Sequence, residues 1–389
     1  MNEKQPANTL DRFRAAVMAD PAAQQALAEQ FIPAEFQARA LAIAAAHGIP
    51  LTREDVEPFL HPDPLGIHRY GPPPQSGEAW PDTPWLPIGL VQQGELAVDW
   101  AHFAGRKPDH PFFEESLRAA VPRPFNRMFR YRTPFGAFVA PAEAQLSKPR
   151  GLIFHMSRCG STLVAQMLGA APGNVVLSEA APFDQLLQFP LQPQFRAPAL
   201  RAMAAALGRG HADYFLKTDA WHVLKLAEYR EAFPGVPWIF LYRDPLEILV
   251  SHDRMPGRHV APGVVPLLDG IAPDAFGMDH AAQVLARIGE AVIAGDIANG
   301  GLLVHYCELP DALFTRILPH FGIEPSAQDR ALMAAAARHD AKATDRIFTP
   351  DGEEKRRKAS DAVHAAIRHL APVYAELEAI RAASLPATA

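Results

Sequence analysis

The sequence predicts an α/β fold in which a parallel sheet is flanked by helices. Short apolar runs alternate with helical patterns between residues 151 and 320, and this alternation is typical of βαβ units. We interpret as buried strands the runs GLIFHM (151–156), VVLSE (175–179), YFLKT (214–218), PWIFLYR (237–243) and GLLVHYCEL (301–309). The helical stretches are STLVAQMLGA, DPLEILVSHDR, DAFGMDHAAQVLARIGEAVIAGDIA and an amphipathic segment at roughly 353–383.

The chain divides by composition into three predicted parts. Residues 1–62 form a small helical N-terminal domain, and residues 151–389 carry the α/β pattern. Residues 63–150 between them are rich in proline and aromatic residues, which break long helices. We expect this middle segment to form loops and short elements that pack on the core.

Helix start signals support the N-terminal domain. Pro21 and Pro33 stand where helices open, and Gly48 marks a stop. Thr52 precedes another helical segment with Asp55 three residues later, which is a capping-box-like start.

Composition excludes several classes of protein. Of 389 residues, 49% are hydrophobic and 21% charged, so the chain can bury a sizeable core. A net charge of −6 argues against a general nucleic-acid binder. Its two cysteines, Cys159 and Cys307, make neither a disulfide framework nor a cysteine-rich zinc site. The polar start and the lack of an apolar run of about 18 residues predict a cytoplasmic chain without membrane segments.

The sharpest motif is the segment Ser-Arg-Cys-Gly-Ser-Thr at 157–162, between a predicted strand and a predicted helix. Backbone N–H groups and the helix dipole favour an anion at such a turn. Ser161 and Thr162 add donors, and Arg158 adds a permanent charge. The alternative is an ordinary strand–helix turn with a surface arginine.

Three known anion loops do not fit this segment. No lysine precedes Ser161, as a nucleotide-triphosphate loop requires, and no G-x-G-x-x-G pattern is present. A phosphatase loop would need an arginine six residues after Cys159, where Ala165 stands. Cys159 is therefore a poor nucleophile candidate, and we interpret it as a small residue in a tight turn.

A second cationic position follows the strand WIFLYR. Asp244 and Pro245 open a helix there, with Arg243 before it and Ser251 two turns into it. An arginine and a hydroxyl at the carboxyl edge of a sheet can hold one phosphate. The alternatives are a salt bridge from Arg243 to Asp244 or another acid, and back-bonding of Ser251 within its helix.

Together these motifs resemble the sulfotransferase family. SRCGSTLVAQML is similar to the 5′-phosphosulfate loop of those enzymes, and YRDPLEILVS is similar to their 3′-phosphate motif, with Arg243 and Ser251 eight residues apart. The segment FLKTDAWHVLKLAEYREAFPGVPWIFLYRDP has the family's intervening layout, and VHYCEL (304–309) resembles a later strand. The resemblance covers about 150–320 and implies a P-loop-like parallel sheet, the sulfotransferase fold.

The resemblance implies transfer of a sulfuryl group from 3′-phosphoadenosine 5′-phosphosulfate to a hydroxyl or amine of a peptide or small molecule, with no metal. Protein-tyrosine sulfotransferases, closest in motif layout, place a glutamate base 21 residues after the loop arginine, which is Glu179 here. Lys217 would assist the bridging oxygen or the sulfuryl group, and Arg158 would stabilise the leaving phosphate. The implied donor-binding residues are Arg158, Cys159, Gly160, Ser161, Thr162, Arg243 and Ser251.

The sequence departs from the family pattern at several positions. Ser157 replaces the usual proline, Cys159 the usual serine, and Arg158 the lysine of the cytosolic enzymes. Asp219 stands where those enzymes carry a catalytic histidine. Their late F-R-K-G segment is missing, although the chain has Phe348 and a basic run made of Lys355, Arg356, Arg357 and Lys358.

The first part of the chain carries a second resemblance. Residues 8–62 are similar to the helical leader domains of nitrogen-fixation-associated ribosomal peptide precursors, which share a pattern of F-x-x-x-V-x-x-D-P and a later A-x-x-x-G-hydrophobic segment. This resemblance implies a peptide-related pathway. The alternative is a packing appendage.

Three other functions remain open on the sequence. One is a non-catalytic module that binds nucleotide or peptide on the same fold, and another is a P-loop kinase, which the missing lysine disfavours. The third is an iron oxygenase with an H-x-D motif, which occurs at His61–Asp63 and at His211–Asp213 in unrelated contexts.

Overall fold

The computed structural model divides the chain into two compact units, Met1–Leu146 and Ser147–Ala389. The division of the first unit near residue 62 stays a prediction. The structure describes residues 8–61, 75–141, 145–268, 270–271, 274–338, 357 and 359–385.

The first unit begins with four helices. They are α1 (Thr9–Met18), α2 (Pro21–Ala28), α3 (Pro33–Ala46) and α4 (Arg53–Val56), the last followed by a 3-10 turn (Glu57–Phe59). The predicted capping box is confirmed, because Thr52 accepts from the backbone of Asp55 while the Asp55 carboxylate accepts from the backbone of Thr52. Pro21 and Pro33 begin α2 and α3, as predicted.

A four-stranded sheet follows in the same unit, with the order β1-β4-β3-β2. Its strands are β1 (Gln75–Ser76), β2 (Trp85–Gln93), β3 (Glu95–His102) and β4 (Tyr131–Pro134). The helices of this region are α5 (Phe113–Ala120), α6 (Pro124–Met128) and α7 (Phe135–Val139).

The two long strands β2 and β3 correct the expectation of loops and short elements. Pro87 does not end β2, because the register shifts there in a bulge that accommodates a residue without an N–H group. Gly94 connects the strands at a φ of 84°, which glycine adopts without a steric cost. Trp85 and Trp100 are buried, so they belong to the core of this unit.

The second unit confirms the predicted α/β fold. All its strand pairs are parallel, in the order β6-β7-β5-β8-β9. The strands are β5 (Gly151–His155), β6 (Asn174–Ser178), β7 (Asp213–Lys217), β8 (Trp238–Tyr242) and β9 (Gly301–His305). The helices are α8 (Ser161–Gly169), α9 (Ala181–Gln188), α10 (Pro193–Gly208), α11 (Leu226–Ala232), α12 (Pro245–Arg254), α13 (Gly277–Ala294), α14 (Leu318–His320), α15 (Ala327–Ala336) and α16 (Asp361–Ser384). Shorter turns are Ala220–Lys225, Arg258–Val260, Pro266–Leu268, Tyr306–Glu308 and the π-helical Leu313–Ile317.

The order of the strands locates a crevice. The first strand of the unit, β5, lies at the centre between β7 and β8, so the direction of winding reverses beside it. Open α/β sheets bind ligands outside the carboxyl ends of their strands at such a point. The loops after β5, β6, β7 and β8 all lie at this edge, because the strands are parallel.

The C-terminal helix α16 confirms the predicted amphipathic segment within the described residues. Its buried positions Val363, Ala366, Leu370 and Leu377 recur at helical spacing. Phe348, Lys355, Arg356 and Lys358 lie outside the described residues. In the described part of the chain, no helix combines the length and the apolar character that crossing a bilayer requires.

Gly289 permits the close approach of α13 and α16. A Cβ atom at this position would lie 2.4 Å from Cγ1 of Val373 and 3.0 Å from Cε of Met156. We expect Gly289→Ala to lower the free energy of unfolding by about 1–3 kcal/mol, because the added carbon overpacks the interface. Denaturant unfolding monitored by circular dichroism measures this change.

Gly169 in α8 provides the matched control. A Cβ atom there would meet Val176 at 3.9 Å, an ordinary contact. Gly169→Ala should be neutral or stabilise the chain by up to about 1 kcal/mol through helix propensity. Equal effects of the two substitutions would contradict the packing role of Gly289.

Candidate functional site

A buried ion pair lies at the carboxyl edge of the second unit's sheet. Strand register pairs Ser178 with Lys217, and the next residue, Glu179, donates its backbone N–H to the carbonyl of Lys217 at 2.7 Å. Glu179 has a φ of 51°, and its Oε1 accepts a hydrogen bond from Nζ of Lys217. The Lys217 side chain is 0% exposed and that of Glu179 is 23% exposed. Two sequence-predicted residues are therefore in contact.

The surroundings of Glu179 keep it ionised. Burial alone raises the pKa of its carboxyl group, but the Lys217 ammonium and the interaction with His155 outweigh burial. The pKa of Glu179 therefore lies well below its usual range. A buried lysine without such a partner would carry a large desolvation cost, so each charge stabilises the other.

His155, the last residue of β5, connects this pair to the anion loop. Its Nδ1 accepts from the backbone N–H of Ser157 at 3.0 Å. Nε2 therefore carries the proton, and it lies 2.9 Å from the carbonyl of Thr218 and 3.5 Å from Oε1 of Glu179. Burial lowers the pKa of His155, which favours the neutral ring.

Sequence reasoning missed His155. The signal that could have found it is its place, because it ends the strand directly before the loop. A second missed imidazole is His259, whose Nε2 is buried and has no hydrogen-bond partner in the described part of the chain. Burial lowers the pKa of His259 to about 4, and the charges of His155, Glu179 and Arg158 also act on it.

The loop after β5 has an unusual backbone. Ser157, Arg158 and Gly160 all have positive φ angles, of 70°, 52° and 85°. Gly160 is the N-cap of α8 and contributes no side-chain cap, while Ser161 and Thr162 begin the helix as buried residues. Backbone N–H groups in a turn of this kind, followed by a helix N-terminus, suit an anion.

Arg158 lies close enough to Glu179 for their charges to interact. Burial lowers the pKa of its guanidinium, and the charge of Glu179 acts in the opposite direction. Its Nη2 donates to the carbonyl of Met255 at 2.7 Å. The loop arginine and the predicted base therefore belong to one neighbourhood.

Cys159 lies in the same loop with its side chain turned into the core. Its Sγ donates to the carbonyl of Leu241 at 3.1 Å. Burial raises the pKa of the thiol to about 11, so the nucleophilic thiolate is scarce at neutral pH. This agrees with its interpretation as a small residue in a tight turn.

Arg243 follows β8 and pairs with Glu247, one turn into α12. Its guanidinium also lies over the ring of Tyr306, 3.8 Å from the centroid. Ser251 donates from Oγ to the carbonyl of Glu247 at 2.8 Å. Both alternatives from the sequence, an ion pair and helical back-bonding, therefore occur, and the role of Arg243 and Ser251 in phosphate binding stays a prediction. Asp244 caps α12 as predicted.

A cluster that sequence reasoning missed lies beside the ion pair. Nε2 of His222 is 3.5 Å from Oδ1 of Asp184 and 3.7 Å from Oδ2 of Asp219. Burial raises the pKa of Asp219 to about 6, and His222 acts in the opposite direction. Lys217 and His222 line one small cavity, together with Tyr229. Only Asp219 and His222 are near each other in sequence, so Asp184 could not be assigned from spacing.

Neither H-x-D motif belongs to the described group of side chains that could hold a metal. His61 lies in the first unit and His211 in the second, and Asp63 lies outside the described residues. Within the described residues, the group of side chains suited to hold a metal is Asp184, Asp219 and His222.

Comparisons with known proteins find similarity in structure alone. No protein-family model matches the sequence. No curated protein matches it either. A sulfotransferase from Mycobacterium tuberculosis H37Rv is 16% identical, with a TM-score of 0.37 over 60% of this chain and 79% of its own.

Two further solved structures are also sulfotransferases. One from Alicyclobacillus acidocaldarius is 14% identical, with a TM-score of 0.39 over 61% of this chain and 96% of its own. One from Mycobacterium avium is 12% identical, with a TM-score of 0.40 over 62% of this chain and 80% of its own. All three of these solved structures are sulfotransferases.

The Glu179–Lys217 pair should contribute stability in a pH-dependent way. We expect Glu179→Gln to lower the free energy of unfolding at pH 7 by about 3–5 kcal/mol, because it leaves a buried ammonium unpaired. The folded-state pKa of Glu179 lies below the ordinary value of 4.5, so the stabilisation is present above that pH and is lost as the pH falls further. Urea unfolding of both proteins between neutral and acidic pH measures the difference, which should shrink with acid.

Glu290→Gln is the control for this experiment. Glu290 pairs with Arg287 at 3.4 Å, and both side chains are more than half exposed. Its substitution should change stability by less than about 1 kcal/mol at any pH, because exposed pairs contribute little. A loss at Glu179 no larger than that at Glu290 would contradict the buried-pair interpretation.

The two cysteines should differ in reactivity. We expect iodoacetamide at neutral pH to modify the exposed Cys307 well before the buried Cys159, whose pKa is raised to about 11. Mass spectrometry of peptides over a time course measures both rates in one sample. Equal rates under native conditions would show that the loop opens in solution.

Proposed function

We propose that this chain is a sulfotransferase that uses 3′-phosphoadenosine 5′-phosphosulfate. The observation that carries the proposal is the meeting of Glu179 and Lys217 beside the Arg158 loop, at the carboxyl edge of a parallel sheet. The motif resemblance assigns these residues from separate parts of the sequence. Their contact therefore supports a single site.

The loop after β5 would bind the 5′-phosphosulfate. Its positive φ angles and the uncapped start of α8 present backbone donors, and Arg158 adds a forked cation. The site lies where the winding of the sheet reverses, which is the usual ligand position in open α/β sheets. These features suit a dianionic group.

Lys217 would act on the leaving group of the transfer, and Glu179 would act on the acceptor. In the transfer, an acceptor oxygen or nitrogen forms a bond to sulfur while the bond from sulfur to the bridging oxygen breaks. The leaving group is adenosine 3′,5′-bisphosphate, and the acceptor proton passes to Glu179. Lys217 and Arg158 would stabilise the charge that develops on the leaving phosphate, because such transfers depend on positioning and electrostatics.

The ion pair itself suggests how the base becomes active. A donor sulfuryl or phosphate oxygen beside Lys217 competes with Glu179 for the ammonium. When that interaction weakens, burial of the carboxyl group becomes the larger influence and the pKa of Glu179 rises. A higher pKa makes Glu179 a better proton acceptor near neutral pH.

The 3′-phosphate would meet Arg243 after β8. Glu247 already pairs with this guanidinium, so a phosphate must displace or share it. The Tyr306 ring stacks on the flat face of the Arg243 guanidinium. A phosphate would therefore bind the N–H groups at the edge of the guanidinium plane. Ser251 would turn its hydroxyl from the carbonyl of Glu247 to the phosphate.

A non-catalytic binding module is the second candidate. Two observations favour it: the lowered pKa of Glu179 makes it a weak base, and Glu247 neutralises Arg243. Such a module would bind the nucleotide or a peptide and transfer nothing. The two candidates differ in turnover, not in binding.

Isothermal titration with adenosine 3′,5′-bisphosphate, AMP and ATP tests the binding half of the proposal. We expect selective binding of the bisphosphate, and Arg243→Ala should weaken it at least about tenfold through loss of a charged hydrogen bond. AMP binding should be unaffected, because AMP lacks the 3′-phosphate. Arg287→Ala, which removes an exposed guanidinium, is the matched control. Equal affinity of the bisphosphate for wild type and Arg243→Ala would remove Arg243 from the site.

Transfer of labelled sulfate to a panel of peptide and small-molecule acceptors tests the catalytic half. Glu179→Gln should retain bisphosphate binding and lose at least about 100-fold in turnover, the usual contribution of a general base. Measurements are made below the melting temperature of the variant. Selective binding without any transfer by the wild-type chain would instead support the binding module.

A further inference from the structure

His222 occupies a position that its protein neighbours do not satisfy. The residue is 1% exposed, and its Nε2 has no hydrogen-bond partner among the residues that the structure describes. This nitrogen faces Oδ1 of Asp184 at 3.5 Å and Oδ2 of Asp219 at 3.7 Å. A buried polar atom without a partner carries a desolvation cost, so a group is needed in the gap.

The distances are wrong for hydrogen bonds. An imidazole N–H donates to oxygen at about 2.7–3.2 Å, which both separations exceed. Elsewhere in the same unit, Nε2 of His369 lies 3.1 Å from Oδ1 of Asp279, an ordinary hydrogen-bond distance. The His222 cluster is therefore wider than a His–Asp contact requires.

The same distances suit two ligands of one metal ion. With metal–nitrogen and metal–oxygen bonds of about 2.0–2.2 Å, neighbouring ligand atoms in a tetrahedral site lie about 3.4 Å apart. The ligand atoms of Asp184, Asp219 and His222 all lie within 4.8 Å of one another. His222 lies at nearly this separation from each carboxylate, and a closing movement of the carboxylates by less than about 1.5 Å would let one ion reach all three.

Hydrogen bonds from neighbouring side chains fix the orientation of His222 and Asp184. Nδ1 of His222 lies 3.0 Å from the hydroxyl of Tyr229, and in the tautomer that donates from Nδ1 the Nε2 lone pair faces the carboxylates. In that tautomer, the Nε2 lone pair and the carboxylate oxygens repel one another unless a cation lies between them. Asp184 is oriented by Nε1 of Trp221 at 3.0 Å and by Nε2 of Gln188 at 2.8 Å.

We propose that Asp184, Asp219 and His222 bind a divalent first-row transition metal ion, with water completing the coordination. Imidazole with carboxylates favours Zn²⁺ and its neighbours over Mg²⁺ or Ca²⁺. The Asp184 and Asp219 side chains are 25% and 29% exposed, so an ion has a path from solvent. The sequence resemblance implied no metal, and this proposal departs from that expectation.

The ion would join two elements next to Lys217. Asp219 follows β7 by two residues, whereas Asp184 lies in α9. Bridging them would hold the end of β7 in place. The proposal does not depend on sulfuryl transfer, because its ligands and its test are separate from that reaction.

Zinc titration of the full chain, after removal of bound metal with a chelator, tests the proposal. We expect one Zn²⁺ per chain by calorimetry and by elemental analysis. Asp219→Asn and Asp184→Asn should each weaken binding at least about tenfold, and Tyr229→Phe should weaken it about 10- to 100-fold as an outer partner of a ligand. These substitutions preserve side-chain shape, whereas His222→Ala would open a cavity in the core.

Asp279→Asn is the matched control, because it removes a carboxylate from another His–Asp contact in the same unit. Its zinc binding should equal that of the wild type. Circular dichroism verifies that each variant is folded. No zinc binding by the wild type, or equal binding by folded Asp219→Asn and wild type, would overturn the proposal.

Discussion

The buried contact between Lys217 and Glu179 is the interaction on which the candidate site depends. An ammonium with a fully buried side chain persists only beside a compensating negative charge, since its desolvation cost is otherwise large. Strand register places Glu179 beside Lys217, and the positive φ of Glu179 turns its chain at the sheet edge. His155 then connects the pair to the anion loop through the backbone of Ser157. The need to compensate the buried charge of Lys217 thus links the carboxyl ends of β5, β6 and β7.

The same ion pairs are compatible with both candidate functions, which are sulfuryl transfer and binding alone. Two of the three cations expected to meet an anionic donor already have an acidic partner: Lys217 has Glu179, and Arg243 has Glu247. If the chain is a sulfotransferase, the anionic donor competes for these cations and separates them from Glu179 and Glu247. Competition also offers selectivity, because a ligand with too little negative charge does not repay the broken ion pairs. If the chain only binds its ligand, the same competition sets the affinity and no group is transferred.

Much of this site was predictable because its motifs are local. Arg158 and the loop are consecutive in sequence, and Asp244 and Pro245 mark the start of α12 by their own backbone preferences. Such signals need no knowledge of distant residues. The Asp184–His222 contact was missed because it follows from no local pattern, and the contact of His155 with Glu179 was missed for the same reason, although the place of His155 before the loop is a local signal. Their chemistry arises only when residues far apart in sequence meet at one edge of the sheet.

The sequence by itself determined the parallel α/β fold, the helix starts and the positions of the charged residues, because alternation of apolar runs, caps and prolines acts over a few residues. It did not reveal β2 and β3, since a bulge at Pro87 and the turn at Gly94 tolerate residues that usually break strands. Tertiary structure alone decided the distant partners: Glu179 for Lys217, and Asp184 for His222. Partner choice depends on strand order and on burial, which convert an isolated charge into one that must be compensated.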